Sequence, residues 1–191
     1  MRAYKMKVAV IGAGACGLPA IKCCLDEDLE VVCFEAEKDI GGLWNYKDSP
    51  RSDQSTVLRS TITNACKELM SFSDFPMPAE FPVFLRHDRL LRYFRMYADH
   101  FGLIQYIRFQ TEVVEVARVA DFASTGRWKV SWRQQGDDDV EHQTKTELFD
   151  AVLVCNGHDT KQFLPRFDGQ EIFVGNVLHS HDYRSVGYCV Q

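Results

Sequence analysis

Lys7-Val8-Ala9-Val10-Ile11-Gly12-Ala13-Gly14-Ala15-Cys16-Gly17-Leu18 is the stretch on which the fold turns. After the lysine, its first residues are apolar and largely β-branched, which suits a buried strand. Three glycines at G-x-G-x-x-G spacing follow directly, and Leu18–Leu25 then reads as a helix. Pro19 sits near the helix start, where its missing N–H costs least. Asp26-Glu27-Asp28 is a polar break, and Glu30-Val31-Val32-Cys33-Phe34-Glu35 is a second strand. Strand, Gly-rich turn, helix and strand within about 30 residues make the βαβ unit of a parallel sheet.

Each glycine has a task in that unit. Gly12 permits the tight turn off the strand, Gly14 lets backbone approach a pyrophosphate, and Gly17 lets the helix pack closely on the sheet. The pyrophosphate then meets the helix N-terminus. Glu35 lies near the ~20-residue separation expected of an acid that accepts hydrogen bonds from ribose hydroxyls. A carboxylate there repels a 2′-phosphate, so the pattern favours FAD or NAD over NADP. Gly41-Gly42-Leu43-Trp44 offers a second close backbone approach, which the longer FAD can use. Alone, that segment also reads as a plain turn followed by a core aromatic.

Outward from this unit, Ile40 to Pro82 is loop-rich, broken by Gly41-Gly42, Pro50, Pro76, Pro78 and Pro82. His87–Phe101 carries Leu90, Leu91, Phe94, Tyr97, Ala98 and Phe101 at helical spacing, with Gly102 as its stop. Ile107–Phe109, Val113–Val119 and Trp128–Trp132 are short β-rich runs. Gly126 and the acidic turn Gly136–Asp139 separate them, which predicts an antiparallel β-meander. Ala151–Cys155 is a fully apolar strand that ends at Asn156-Gly157-His158.

The remaining features bound the function. A chain of 191 residues, 46% hydrophobic, is long and apolar enough for one folded domain. A net charge of −5 argues against a nucleic-acid partner. Seven cysteines without a C-x-x-C pair read as reduced thiols, and the missing pair also disfavours a disulfide reductase. His179-x-His181 is the tightest histidine pair and is read as no metal site. Arg2, Lys5 and Lys7 before Val8–Ile21 resemble a targeting signal superficially, but three glycines and Pro19 fit a turn better. There is no apolar run of the ~20 residues a membrane-spanning helix needs.

From Lys7 to Arg184 the chain resembles the flavin-containing monooxygenases, the N-oxide-forming dimethylaniline monooxygenase family. Gly12–Gly17 carries the resemblance first, then Phe34-Glu35 with Asp39–Trp44. Thr63-Asn64-Ala65-Cys66-Lys67-Glu68 running to Asp74-Phe75-Pro76 follows, and Val154–His158 matches the strand end that closes the dinucleotide domain. The most specific stretch is Phe173-Val174-Gly175-Asn176-Val177-Leu178-His179-Ser180-His181-Asp182-Tyr183, which fits the family pattern F-x-G-x-x-x-H-x-x-x-Y.

The resemblance implies an α/β, Rossmann-like FAD/NAD(P)-binding fold of three ββα layers with a meander insertion. It implies an FAD- and NADPH-dependent monooxygenase in which NADPH reduces the flavin and O₂ forms a C4a-hydroperoxyflavin. One oxygen then passes to an amine nitrogen or a thioether sulfur of a small molecule; some members insert it beside a carbonyl. By position, Gly12, Ala13, Gly14, Ala15, Cys16 and Gly17 bind the FAD pyrophosphate and Glu35 the adenosine ribose. Gly42, Leu43 and Trp44 lie on the flavin side, and Thr63, Asn64 and Ala65 match the stretch where flavin and NADP contacts meet. Asn64 is the catalytic candidate, an uncharged amide near the flavin ring; it also reads as a cap for a helix at Lys67-Glu68. His179 reads equally as a structural hydrogen-bonder. Cys16, which faces phosphate in the family, also reads as a small packed thiol.

The family places a second Gly-rich turn, for NADPH, shortly after the tyrosine motif, whereas this sequence ends in Ser185–Gln191. The expectation is therefore an FAD-binding domain at 1–184 and a non-matching end at 185–191. The alternative function is a truncated, non-catalytic FAD-binding module. The expected location is the cytosolic face of the endoplasmic reticulum membrane by resemblance, or the cytoplasm for a genuine truncation.

Overall fold

A computed structural model describes residues 4–51, 54–135, 143–158 and 160–183. The opening unit forms as read: β1 (Lys7–Ile11), α1 (Gly17–Asp26) and β2 (Glu30–Phe34), with β1 and β2 parallel and Val10 opposite Cys33. The loop-rich stretch beyond holds a 3-10 turn at Gly42–Trp44 and the four-residue α2 (Lys67–Met70). The loop after α2 folds around the Lys67 ammonium, which donates to the carbonyls of Pro78, Ala79 and Phe81.

α3 (His87–His100) follows, and Gly102 at φ +62° turns the chain out of it. Its buried face includes Tyr93, whose hydroxyl donates to Phe75 O at 2.5 Å and accepts from Phe72 N at 2.8 Å. That one side chain fastens the 72–75 loop to the helix. The next elements are β3 (Ile107–Arg108), β4 (Thr111–Arg118), the short α4 (Phe122–Thr125), β5 (Trp128–Gln134), β6 (Lys145–Phe149) and β7 (Ala151–Val154).

The main sheet has the order β3-β2-β1-β7, all parallel, and β4-β5-β6 is an antiparallel sheet beside it. Side-chain alternation along β1 assigns the layers. Val8 and Val10 pack with Leu18, Ile21, Leu90 and Tyr93 on the helix side. Ala9 and Phe34 pack with Val130 and Phe149 of the meander on the other. The result is the three-layer ββα sandwich, Rossmann-like in its parallel part.

Two expectations need correction. Ile107–Phe109 does not belong to the meander: Ile107 and Arg108 pair in parallel with Cys33 and Phe34 at the edge of the main sheet. Two paired residues carry too little pattern to reveal their partner. The third meander strand is instead β6, antiparallel to β5, with Trp128 opposite Phe149. Its apolar signal is weak because it alternates Lys145 and Glu147, both charged, with an exposed Thr146 and Leu148, leaving Phe149 as its buried anchor. The Gly136–Asp139 turn and the 185–191 end lie outside the described residues. No helix among the described residues is long and apolar enough to cross a membrane.

Candidate functional site

The Gly-rich turn is closed by its own backbone. Gly12 has φ +98°, and its N–H donates to Phe34 O at 2.8 Å. A Cβ at Gly12 would stand 2.6 Å from Cys155 O, and one at Gly17 only 1.8 Å from Gly12 O. Both positions therefore exclude any larger side chain for reasons internal to the fold. Gly14 differs: a Cβ there would meet Gly42 Cα at 3.7 Å, an ordinary contact. Gly14 and Gly42 pack backbone against backbone, held by the hydrogen bond from Gly41 N–H to Ala13 O at 3.0 Å. The two glycine segments thus stand together, just ahead of the N-terminus of α1.

Glu35 ends just beyond β2 and is 6% exposed. One carboxylate oxygen accepts from Ala13 N–H at 2.7 Å and the other from Glu37 N–H at 2.8 Å. Burial pushes its pKa above the ordinary carboxylate value, although the two backbone donors pull the other way. Each oxygen keeps acceptor capacity beyond its one backbone bond. Glu35 lines a cavity of about 260 Å³, together with Gly12, Gly14, Gly42 and the start of β4.

Glu37, Arg51 and Gln54 line the same cavity and went unnoticed in the sequence, where no fixed spacing announces them. Arg51 bonds Glu37 at 2.9 Å and Lys47 pairs with the same carboxylate. Burial pushes the Glu37 pKa up, but these two cations outweigh it and hold the acid below its usual range.

A larger cavity of about 960 Å³ adjoins the first, and Leu43 and Cys155–Gly157 line both. Its wall includes Ala15, Cys16, Trp44, His158, His179 and His181. Together the two cavities form a groove past the C-terminal ends of β1, β2 and β7, where parallel α/β sheets take their ligands. Cys16 is exposed on this groove rather than packed away.

Thr63, Asn64 and Ala65 stand apart from both cavity walls. The buried Thr63 hydroxyl donates to Ala65 O and accepts from Leu85 N–H, each at 2.9 Å, which makes it a brace for the loop. Asn64 is exposed. It does not cap α2, whose N-cap position is Cys66, without a side-chain bond.

In the tyrosine motif, His179 Nδ1 accepts from His181 N–H at 3.1 Å, so its Nε2 carries the proton and faces Phe163 O at 3.3 Å. Both nitrogens are thus engaged by backbone. Gly175 leaves room for the Phe173 ring, 2.4 Å from where a Cβ would stand. His179 and His181 have ring centres 6.5 Å apart, and no metal-binding cluster occurs among the described residues.

Gly12, Gly14 and Gly42 line the smaller cavity without side chains, beside the N-terminus of α1, and a bare-backbone surface there fits a pyrophosphate. Known proteins resemble this chain in sequence and fold. Flavin-containing monooxygenase 5 of Cavia porcellus is 46% identical over 183 residues, 95% of this chain and 33% of its own length. Dimethylaniline monooxygenase (N-oxide-forming) 2 of Mus musculus is 47% identical over 180 residues, 93% of this chain and 32% of its own. The chain thus spans about a third of the length of these relatives. S-allyl-L-cysteine S-oxygenase from Allium sativum superposes with a TM-score of 0.80 at 31% identity, covering 96% of this chain and 44% of that structure. The profile of the flavin-binding monooxygenase-like family matches residues 5–189, and the chain belongs to that family.

Proposed function

We propose that the groove holds FAD, with Gly12, Ala13, Gly14, Ala15, Cys16 and Gly17 around its pyrophosphate and the adenosine ribose on Glu35. Gly42, Leu43 and Trp44 would line the path toward the flavin ring. The observation that carries this reading is the side-chain-free surface that Gly12, Gly14 and Gly42 present to the smaller cavity, beside the N-terminus of α1, whose dipole favours an anion. Glu35 supports it, since a buried carboxylate fixed by two backbone donors presents its remaining lone pairs in one orientation.

When bound, FAD would accept hydride from NADPH and, with O₂, deliver one oxygen atom to an amine nitrogen or thioether sulfur of a small molecule. The chain's own contribution is to bind the cofactor, orient it along the groove and shield it with Leu43, Trp44 and Phe163. The likeness to relatives named as N-oxide-forming and S-oxygenase enzymes supports that substrate class. The location proposed with it, from the family resemblance alone, is the cytosolic face of the endoplasmic reticulum membrane, or the cytoplasm for a truncated chain.

A second reading, a flavin-binding module without oxygen transfer of its own, is favoured by Asn64. The residue matched to the family asparagine stands outside the groove wall. One experiment separates the two: purified chain loaded with FAD is given NADPH and a tertiary amine. Coupled NADPH oxidation and N-oxide formation support the monooxygenase reading. Bound flavin without NADPH consumption above a protein-free blank supports the module.

A further inference from the structure

We propose that Cys16 and Cys155 form a reversible disulfide that bars the groove, so that ligand entry answers to thiol redox state. The consequence for FAD rests on the reading above, whereas formation of the bond does not. The two thiols line the same opening. Cys16 lies in the Gly-rich turn, exposed, and Cys155 lies just past β7, half-buried; both line the larger cavity.

Their backbones are close. Gly17, the neighbour of Cys16, turns its side-chain position to within 3.7 Å of Cys155 Cβ. Cys155 N–H donates to Ile11 O at 2.8 Å and its carbonyl packs on Gly12, so this partner is anchored. Burial pushes the Cys155 thiol above its ordinary pKa, and charge at Cys16 adds to that rise. With Cys155 anchored and the backbone next to Cys16 close beside it, the two sulfurs can bridge once the exposed Cys16 side chain turns inward. Among the described residues the other cysteines are excluded by position: Cys24 and Cys33 are buried, and Cys23 and Cys66 line neither cavity.

Oxidised glutathione serves as the oxidant. The Cys16 thiolate attacks one of its sulfurs, the glutathione S–S bond breaks, and one glutathione leaves as thiolate. Cys155 loses its proton to water, attacks the Cys16 sulfur and expels the second glutathione. Two thiols are oxidised to one disulfide and one glutathione disulfide is reduced to two thiols. The exposed Cys16 reacts first, and the protonated Cys155 makes the second step the slower one.

The test is peptide mapping of the full chain after equilibration with oxidised glutathione. Trypsin places Cys16 in Val8–Lys22 and Cys155 in Thr146–Lys161, each with a single cysteine. The expected result is a linked pair two hydrogens lighter than the sum of its peptides. It should vanish with dithiothreitol and in Cys16→Ser and Cys155→Ser, yet persist in Cys23→Ser. Glutathione on Cys16 with Cys155 still open to alkylation would overturn the proposal. Flavin retention is then compared before and after oxidation. Loss of retention that dithiothreitol restores supports the barred groove, and unchanged retention in the linked chain refutes it. A reduced chain that never retains flavin, yet forms the link, counts against the FAD reading alone.

Discussion

Replacing Gly14 and Gly17 separately by alanine should split cofactor binding from folding. At Gly14 the new methyl meets Gly42 Cα at 3.7 Å and Gly42 N at 3.9 Å, both ordinary contacts. Gly14 is also not among the glycines at positive φ, so alanine accepts its backbone. The smaller entropy of the unfolded chain should then leave stability unchanged or raise it by about 0.4–1 kcal/mol. The methyl nevertheless covers bare backbone in the wall proposed for the pyrophosphate, and FAD affinity should fall at least about tenfold, roughly 1.4 kcal/mol.

At Gly17 the methyl would lie 1.8 Å from Gly12 O and 2.9 Å from Gly12 C, and both are backbone atoms that cannot swing aside. Relief requires α1 and the turn to part by roughly 1 Å, at a cost of about 1–3 kcal/mol or more. The gain of about 1 kcal/mol in helix propensity for alanine over glycine is too small to offset it. Thermal melts followed by circular dichroism, with FAD titrations by fluorescence quenching, read both quantities. A Gly14→Ala chain that binds FAD as tightly as the parent would refute the assignment of the glycine wall. Equal destabilisation by both substitutions would refute the division of roles.

Other consequences are open to direct measurement. Glu35→Gln leaves one acceptor oxygen for two backbone donors, so urea unfolding should show a loss of about 1–3 kcal/mol. Tyr93→Phe strands Phe72 N–H and Phe75 O and should cost a similar ~1–3 kcal/mol by the same assay, with FAD affinity unchanged. For Glu147, burial pushes the pKa up, but Lys7 and Arg108 outweigh it and depress the folded value. Its stabilisation is therefore present above the unfolded value of about 4.3 and lost as pH falls through the folded one. Glu147→Gln should flatten the acid limb of Tm against pH. Glu35 has the opposite sign: its raised pKa makes its contribution fall as pH rises from the unfolded value through the folded one.

The opening unit was legible because its signals are local. Gly12 turns the chain at φ +98°, Gly17 answers a clash with Gly12 five residues before it, and the β1 run and the α3 stripe each bury a face that the pattern shows. What stayed hidden depends on distant partners. Nothing in Ile107-Arg108 says that it joins β2, and β6 is held by Phe149 against Phe34 more than by its own pattern. The site divides in the same way. The glycine pairs and Glu35 were visible, but the two backbone bonds of Glu35 and the Glu37–Arg51 pair arise from loop paths that no spacing encodes. Thr63 was read beside the cofactor, yet its hydroxyl is turned to Leu85 and Ala65.

The central claim is that this chain by itself builds a flavin site. The direct measurement is the visible flavin absorption that stays with the purified, reduced chain after free FAD has been removed by gel filtration. The account predicts flavin retained near one equivalent per folded chain and lost in Gly14→Ala. A chain that is folded by circular dichroism and elutes colourless after saturation with FAD would contradict it.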